Sequence, residues 1–213
     1  MSHKDKNIAL LAYSGHAYVV ADILIALGYN IIGYFDKNEA TNNPFNIEYL
    51  GLENDETVKD ILKGAAIFPA VGNNQLRKKM VEMFEKLFLE QIVLISPDTK
   101  LAGDVKINNS TLVCRGALIN PLADIGKGVI INTGAIIEHE CLIRDFAHIA
   151  PGATLTGNVE VGEASFIGAN STIINSVKIG NNAIIGAGSV VLSNVPDNEV
   201  WAGNPAKKIK NNG

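Results

Sequence analysis

The residues best suited to chemistry lie together in the segment Glu138-His139-Glu140. An imidazole changes its charge near neutral pH, and a neighbouring carboxylate can orient it and stabilise its cationic form. Such a histidine can remove a proton from an attacking nucleophile as a general base. A lone outward histidine is more often a surface residue, but this one stands between two carboxylates in a segment otherwise poor in charge. We therefore take His139 as the candidate general base.

A repeat of six residues must position this segment. Every sixth residue from 95 onward is aliphatic, and each residue four positions later, from Thr99 to Val195, is small or β-branched. The aliphatic series is Ile95, Leu101, Ile107, Val113, Ile119, Ile125, Ile131, Ile137, Ile143, Ile149, Leu155, Val161, Ile167, Ile173, Ile179, Ile185 and Val191. A period of six fits neither an α-helix nor a hairpin. It predicts a three-sided parallel β-helix with eighteen residues in each coil.

In such a coil the aliphatic residue points inward and the small residue fills the narrow corner. His139 then points outward, while Cys141 belongs to the small inward series and is predicted to be core rather than a nucleophile. Glycine follows the aliphatic residue at positions 126, 162, 168, 180 and 186. We expect these glycines to serve turns that need a positive φ.

The first ninety residues follow a different pattern, in which apolar strands alternate with helical segments. Strands are predicted at 8–12, 31–35, 66–71 and 91–94, and helices at 17–27, 55–63 and 75–88. Alternating β and α units are typical of a small parallel sheet of the nucleotide-binding type. The sequence therefore predicts two domains, a Rossmann-like α/β domain over residues 1–92 and an all-β helix with a C-terminal tail over 93–213.

Three turns of the predicted α/β domain should meet at one edge of its sheet. They are the turn Ser14-Gly15-His16, the end of the second strand at Asp36, and the turn at Gly72. A helix N-terminus after a strand favours an anion such as a pyrophosphate, and a carboxylate after the second strand can bind a ribose. The first turn lacks the G-x-G-x-x-G spacing, so a dinucleotide is not indicated.

The composition excludes several classes of protein. Apolar residues make up 47% and charged residues 19% of the 213 residues, with a net charge of −4. Basic runs are short, at Arg77-Lys78-Lys79 and Lys207-Lys208, so nucleic-acid binding is not expected. The sequence has two cysteines, neither a signal peptide nor an apolar stretch of membrane-spanning length, and we expect a cytoplasmic protein.

The six-residue repeat and the tail from Val200 to Lys207 resemble the hexapeptide-repeat acyltransferases, whose parallel β-helices are left-handed. Together with the α/β domain, the chain resembles the sugar acetyltransferases of the NeuD/PglD-like family. That family includes the UDP-4-amino-sugar N-acetyltransferases of bacillosamine biosynthesis, the perosamine N-acetyltransferases and the sialic acid O-acetyltransferases. The segments that match are the Ser14–His16 turn, Asp36-Lys37, Gly72-Asn73-Asn74 with Arg77-Lys78-Lys79, and residues 132–148.

The resemblance implies direct transfer of an acetyl group from acetyl-CoA to a sugar amine, with His139 as the base and Glu140 raising its basicity. It also implies a homotrimer whose active sites lie between subunits, acetyl-CoA as co-substrate, and no metal. The residues implied for the nucleotide sugar are Ser14, Gly15, His16, Asp36, Lys37, Gly72, Asn132 and Glu138; those implied for acetyl-CoA are His148, Ala169 and Ala187.

Several alternatives stay open at the level of sequence. Within the acetyltransferases, the substrate could be a sialic acid hydroxyl or GDP-perosamine rather than a UDP-linked sugar. A γ-carbonic-anhydrase-like metal enzyme would share the β-helix, although His139 and His148 lack a third histidine in the helix, and zinc needs about three protein ligands. A non-catalytic nucleotide-sugar-binding protein is the remaining class. Trp201 is either a packing residue or a cover for the coenzyme.

Overall fold

The computed structural model of the chain describes residues 6–52, 55–62 and 64–213. The polypeptide divides into two compact units at the bond between Pro97 and Asp98. The predicted fold class is confirmed, because an α/β unit with a parallel sheet is followed by repeated parallel strands. Among the described residues, no helix combines the length and the apolar character needed to cross a membrane.

Among its described residues, the first unit contains a sheet of four parallel strands and three helices. Its elements are β1 (Asn7–Leu11), α1 (Gly15–Ala26), β2 (Asn30–Phe35), β3 (Tyr49–Gly51), α2 (Asp55–Ile61), β4 (Ala66–Pro69), α3 (Asn74–Lys86) and β5 (Leu94–Ile95). The strands of the sheet lie in the order β3-β2-β1-β4. The order of the strands therefore reverses beside β1, and the crevice at the carboxyl ends of strands at such a reversal is the usual ligand site of an open α/β sheet.

The strands and helices predicted in the first ninety residues are found, with shifts at their ends. Strand β3 was not predicted, because it has only three residues and follows a polar loop. The strand predicted at 91–94 is displaced: Gln91 forms an isolated bridge to Ile67, and the regular strand is β5. The predicted helix at 55–63 ends at Ile61, and Lys63 lies outside the described residues.

The second unit consists of short strands, each ending on an aliphatic residue of the six-residue series. They are β6 (Lys100–Leu101), β7 (Lys106–Ile107), β8 (Leu112–Val113), β9 (Leu118–Ile119), β10 (Asp124–Ile125), β11 (Ile130–Ile131), β12 (Ile136–Ile137), β13 (Leu142–Ile143), β14 (His148–Ile149), β15 (Thr154–Leu155), β16 (Glu160–Val161), β17 (Phe166–Ile167), β18 (Thr172–Ile173), β19 (Lys178–Ile179), β20 (Ile184–Ile185) and β21 (Val190–Val191). Two longer strands, β22 (Glu199–Gly203) and β23 (Ala206–Asn211), follow.

These strands form three faces of a parallel β-helix. The first face contains β8, β11, β14, β17, β20 and then β22 and β23; the second contains β6, β9, β12, β15, β18 and β21; the third contains β7, β10, β13, β16 and β19. Partners in the register are eighteen residues apart, as for Ile137 and Leu155. The predicted coil of eighteen residues is confirmed.

Three rows of turns connect the faces. The first corner joins the first face to the second (residues 132–135, 150–153, 168–171 and 186–189). The second corner joins the second face to the third (102–105, 120–123, 138–141, 156–159 and 174–177). The third corner joins the third face to the first (126–129, 144–147, 162–165 and 180–183).

Burial follows the two predicted series closely. The inward aliphatic residues from Val113 to Val191 are at most 2% exposed, and the small residues from Thr111 to Val195 are all buried. A stacked Ile, Leu or Val of this kind contributes roughly 1.5–3 kcal/mol to folding. The exceptions lie at the start of the repeat, where Leu101 is 44% exposed and Ile95 and Ile107 are half-buried.

The expectation that the glycines at 126, 162, 168, 180 and 186 supply positive φ is wrong. Positive φ occurs two positions further on, at every sixth residue from Asp104 to Gly188, and most of those residues are not glycine. The predicted glycines are needed because the next coil approaches their backbone. A Cβ built on Gly162 would lie 2.5 Å from the carbonyl carbon of Gly180, and one on Gly168 would lie 2.5 Å from the amide nitrogen of Ala187.

The tail continues the first face beyond the last complete coil. Strand β22 pairs in parallel with β20, and Trp201 is the register partner of the inward-pointing Ile185. The indole Nε1 of Trp201 donates a hydrogen bond of 2.7 Å to Glu199. Trp201 therefore extends the inward stack at the end of the helix, which favours the packing role over a cover for a coenzyme.

Candidate active site

Asp36 fastens the turn after β1 to the end of β2. Its Oδ2 accepts a hydrogen bond of 2.8 Å from the backbone N–H of Tyr13, and its Oδ1 accepts one of 2.6 Å from the N–H of Lys37. The carboxyl group is half-buried, and the Lys37 side chain beside it is exposed. Each carboxylate oxygen has two lone pairs, so Asp36 retains the capacity to accept a ribose hydroxyl.

The turn that contains Ser14, Gly15 and His16 starts helix α1 at this same edge. Ser14 is the N-cap residue in an extended conformation, its side chain makes no capping hydrogen bond, and Gly15 is the first residue of the helix. The first N–H groups of a helix attract anions. The His16 ring lies over the turn after β4, because a Cβ built on Gly72 would be 3.9 Å from its Cγ and Nδ1.

A buried arginine, which belongs to the basic run Arg77-Lys78-Lys79, shapes the turn after β4. Arg77 is 1% exposed, and its Nη1 donates hydrogen bonds to the carbonyl oxygens of Gly72 at 3.0 Å and Val71 at 3.4 Å. Its Nη2 donates a bond of 2.9 Å to the Asn74 side chain. Arg77 therefore holds the shape of the Gly72 turn. Burial lowers the pKa of this guanidinium to about 9.

The protonation of His16 links the stability of the first unit to pH. Burial, together with the positive charge of Arg77, lowers the pKa of His16 from 6.5 to about 4. The unfolded chain binds a proton between these values and the folded chain does not. The stability that neutral His16 contributes is therefore fully present above pH 6.5 and is lost as the pH falls toward 4.

We expect wild-type protein to lose about 2 kcal/mol more unfolding free energy than His16→Asn between pH 7.5 and pH 5, because one pKa unit corresponds to about 1.4 kcal/mol. The free energy of unfolding of the first unit in urea, measured for both proteins at pH 7.5 and at pH 5, gives this difference. Equal pH dependence in the two proteins would show that His16 is not the group responsible.

The candidate base lies at the second corner of the β-helix. Nδ1 of His139 is 3.0 Å from Oε2 of Glu140, and both side chains are 58% exposed. Glu140 has a φ of 59°, the left-handed turn conformation of its row, and this turn directs its carboxylate back to the preceding residue. Glu138, one position before the histidine, is half-buried at the same corner.

A glycine that sequence reasoning missed supports the imidazole. Gly157 is the residue one coil after His139, and a Cβ built on it would lie 2.5 Å from Cε1 and 2.6 Å from Nε2 of the ring. The ring therefore rests on the bare backbone of the next coil. Any side chain at position 157 would displace it.

His148 lies on the first face, away from His139. It is 8% exposed, its Nε2 is 3.1 Å from Nδ2 of Asn132, and its ring meets the Phe166 ring edge to face at 5.0 Å. Asn132 was expected with Glu138 in the sugar pocket, but it follows the first face while Glu138 follows the second. Within one chain the structure brings Asn132 to His148 and not to Glu138.

Ala169 and Ala187 occupy equivalent positions in successive coils of the first corner. Neither alanine N–H has a hydrogen-bond acceptor within the described ranges. At the third corner the same turn position is filled: Asp145 accepts from the N–H of Lys127 at 2.9 Å, and Asn181 accepts from that of Glu163 at 2.8 Å. The first corner thus presents open donors with small side chains.

The structure also bears on the two cysteines and on the alternative of a metal enzyme. Burial raises the pKa of the Cys141 thiol to about 11 and that of Cys114 to about 12, so both stay protonated at neutral pH. Cys141 is 1% exposed, which confirms its interpretation as a core residue. In the part of the chain that the structure describes, no three His, Cys, Asp or Glu side chains form a group that could hold a metal ion.

The chain is similar to two protein families and to several solved structures. Residues 7–84 match the PglD N-terminal domain, and residues 158–193 match the bacterial transferase hexapeptide (six repeats) family. Over 99 residues it is 28% identical to the GDP-perosamine N-acetyltransferase of Escherichia coli O157:H7. This match covers 46% of the chain and 45% of the relative, so the chain spans about half the length of that curated relative.

Two solved structures match almost the whole chain. The acetyltransferase domain of PglB from Neisseria gonorrhoeae FA1090, in complex with acetyl coenzyme A, has 32% identity and a TM-score of 0.90 over 96% of this chain and 99% of its own. PerB from Caulobacter crescentus, in complex with CoA and GDP-perosamine, has 30% identity and a TM-score of 0.89 over 97% of this chain and 98% of its own. The β-helix is accordingly the left-handed hexapeptide type. The chain belongs to the hexapeptide-repeat acetyltransferases with a PglD-type N-terminal domain, the family of the PglB and perosamine enzymes.

Proposed function

We propose that the chain transfers the acetyl group of acetyl-CoA to the amino group of a nucleotide-linked 4-amino sugar, with a UDP-linked sugar of the bacillosamine type as the first candidate. The observation that carries this proposal is the His139–Glu140 pair, joined at 3.0 Å on an exposed corner of the β-helix. Two structures that match almost the whole chain were solved with the coenzyme: the PglB acetyltransferase domain with acetyl coenzyme A, and PerB with CoA and GDP-perosamine.

His139 acts as the general base in this proposal. Glu140 accepts the Nδ1–H of the ring and stabilises the imidazolium that forms, so that Nε2 is the nitrogen left to accept a proton. Nε2 removes a proton from the amine as the nitrogen attacks the thioester carbonyl. Collapse of the tetrahedral intermediate forms the amide and expels the thiolate of CoA, which needs little acid assistance.

The first corner supplies a fitting surface for the pantetheine arm. The N–H groups of Ala169 and Ala187 are open donors in adjacent coils, about 4.8 Å apart. A chain with amide carbonyls can accept from both, and the small side chains let it approach the backbone. His148, one coil earlier on the first face, is then close to the thioester end.

The separation of Asn132 from His139 and Glu138 supports a homotrimer with active sites between subunits. His139 and Glu138 lie at the far edge of the second face, whereas Asn132 lies at its near edge. The corner turn at 132–135 and strand β12 lie between Asn132 and His139, so the two residues are at opposite edges of the second face. One acetyl group cannot contact both corners of one chain. A second copy that presents its first corner to the second corner of its neighbour completes the site, and a cyclic trimer closes the arrangement.

The first unit binds the nucleotide part of the sugar substrate in this proposal. The α1 N-terminus at Gly15 faces the diphosphate, and Asp36 accepts a ribose hydroxyl. His16 and Gly72 line the same edge, with Lys37 and Ser14 on its exposed side.

Asp36→Ala should weaken sugar-nucleotide binding at least tenfold, because it removes both the ribose acceptor and the tether to the Tyr13 N–H. Titration calorimetry with nucleotide sugar and, separately, with CoA measures the effect, and we expect CoA affinity to stay unchanged. Asp36→Asn, which keeps one acceptor oxygen without the charge, serves as the matched variant and should show a smaller loss. Unchanged sugar-nucleotide affinity in Asp36→Ala would remove this site from the account.

A panel assay decides the substrate. UDP-linked 4-amino sugar, GDP-perosamine and CMP-linked sialic acid are incubated with acetyl-CoA, and released thiol and acetylated product are both measured. We expect the highest kcat/KM with the UDP sugar. GDP-perosamine is the second candidate because PerB was solved with it. Transfer only to a sialic acid hydroxyl would refute amine acetylation, and absence of thiol release with all three would refute acetyl transfer to these sugar classes.

A further inference from the structure

A row of register partners connects His148 to a lysine on the last strand. On the outer side of the first face the row runs His148, Phe166, Ile184, Val200 and Lys210. Directly paired residues on adjacent strands place their side chains on the same side of a sheet. Lys210 is therefore on the side that carries His148, four strand spacings away, which amounts to roughly 19 Å.

A second lysine continues the neighbouring row along the first corner. Lys207 is the register partner of Ala202. The Ala202 Cβ would lie 2.8 Å from a Cβ built on Gly186, the residue before Ala187. Lys207 is thus two strands beyond the corner position at which the open N–H of Ala187 lies.

The third lysine of this strand is already neutralised. Nζ of Lys208 is 2.5 Å from Oε1 of Glu199, on the side of the strand that carries Trp201. Lys207 and Lys210 are exposed, and across residues 6–52, 55–62 and 64–213 neither has a carboxylate within ion-pair distance. Because the whole chain carries a net charge of −4, a polyanion is attracted here only by a local pair of cations.

We propose that Lys207 and Lys210 bind the 3′-phosphate at the nucleotide end of coenzyme A. This inference rests on the proposed function, which puts the thioester near His148 and the arm along Ala169 and Ala187. An extended pantetheine arm with its diphosphate is about as long as five residues of extended chain, roughly 17 Å. An arm that starts at His148 and passes both alanines therefore ends at β23, where the two ammonium groups lie.

The test compares coenzyme A with 3′-dephospho-coenzyme A. Titration calorimetry on the full chain, without sugar, should give a Kd for CoA that is about five- to tenfold higher for the double variant K207Q/K210Q than for wild type. The Kd for 3′-dephospho-CoA should differ less than twofold between the two proteins. Lys106→Gln, an equally exposed lysine on the third face, is the matched control and should leave both constants unchanged.

Steady-state kinetics with both acetylated coenzymes should repeat the pattern in KM, with kcat nearly constant. An equal loss of affinity for both coenzymes, or no loss for either, overturns the assignment of the 3′-phosphate to these lysines. This failure is distinct from failure of the proposed function, in which wild-type protein would neither bind CoA nor release thiol.

Discussion

Replacing His139 by alanine should lower kcat for acetyl transfer at least 10²-fold, the usual contribution of a positioned general base. The side chain is exposed, and at this corner of the β-helix its hydrogen-bond partner is the adjacent Glu140. Its loss should therefore cost little stability. The Kd for nucleotide sugar and for CoA should stay within about twofold of wild type. Stopped-flow or steady-state detection of the CoA thiol measures the rate.

Glu140→Gln provides the graded comparison for this prediction. It keeps an acceptor oxygen for Nδ1 of His139 but removes the charge that stabilises the imidazolium. We expect a smaller fall in kcat, about tenfold. A His139→Ala enzyme with the wild-type rate would exclude this residue as the base.

Gly157→Ala should lower kcat about tenfold to 10²-fold without loss of fold. The added Cβ would lie 2.5 Å from Cε1 of His139, closer than van der Waals contact allows, so the exposed ring must move aside. A displacement of about 1 Å in a catalytic group can cost up to 10²-fold in rate. The ring moves more easily than the coil, so thermal unfolding should be nearly unchanged.

Gly103→Ala is the matched control, because Gly103 occupies the same turn position in an earlier coil of the second corner. A Cβ built there meets no atom within 4 Å. This variant should therefore have wild-type kcat and unchanged stability. If Gly157→Ala has wild-type kcat as well, the orientation of the His139 ring over the next coil is not required for turnover.

The β-helix could be predicted from sequence because one period fixes its whole geometry. A repeat of six over seventeen positions determines which residues are inward, which coil follows which, and that His139 points outward. The same period also indicated Gly157, since a coil of eighteen residues stacks it directly on His139. Sequence reasoning missed that contact because Gly157 follows Thr156, unlike the glycines of the repeat that directly follow an aliphatic residue.

Other features of the site depend on contacts between residues that sequence spacing does not relate. Arg77 looked like one member of a basic run, yet it is buried and holds the Gly72 turn through backbone carbonyl groups. Asp36 was expected to be a ligand-binding carboxylate, and its bond to the Tyr13 N–H shows an additional structural task. The glycines of the repeat were expected to supply positive φ. Their actual role depends on how closely the next coil approaches, which the sequence does not show.

The sequence analysis also did not show that Asn132 and Glu138 lie at different corners of the β-helix. The family resemblance implied that Asn132 and Glu138 both contact the nucleotide sugar, but within one chain one face of the prism lies between them. Only the assignment of each hexapeptide to a face shows that the candidate residues form two groups. A second copy of the chain is therefore part of the proposed site.

The most direct test is a crystal structure of the assembled protein with CoA and an unacetylated nucleotide-linked amino sugar. The account predicts the sugar amine within about 3 Å of Nε2 of His139, the reach of a general base. It also predicts the CoA sulfur beside that amine, with the arm on Ala169 and Ala187 of the neighbouring copy. An amine or a sulfur bound far from His139, or a coenzyme held within a single chain, would contradict it.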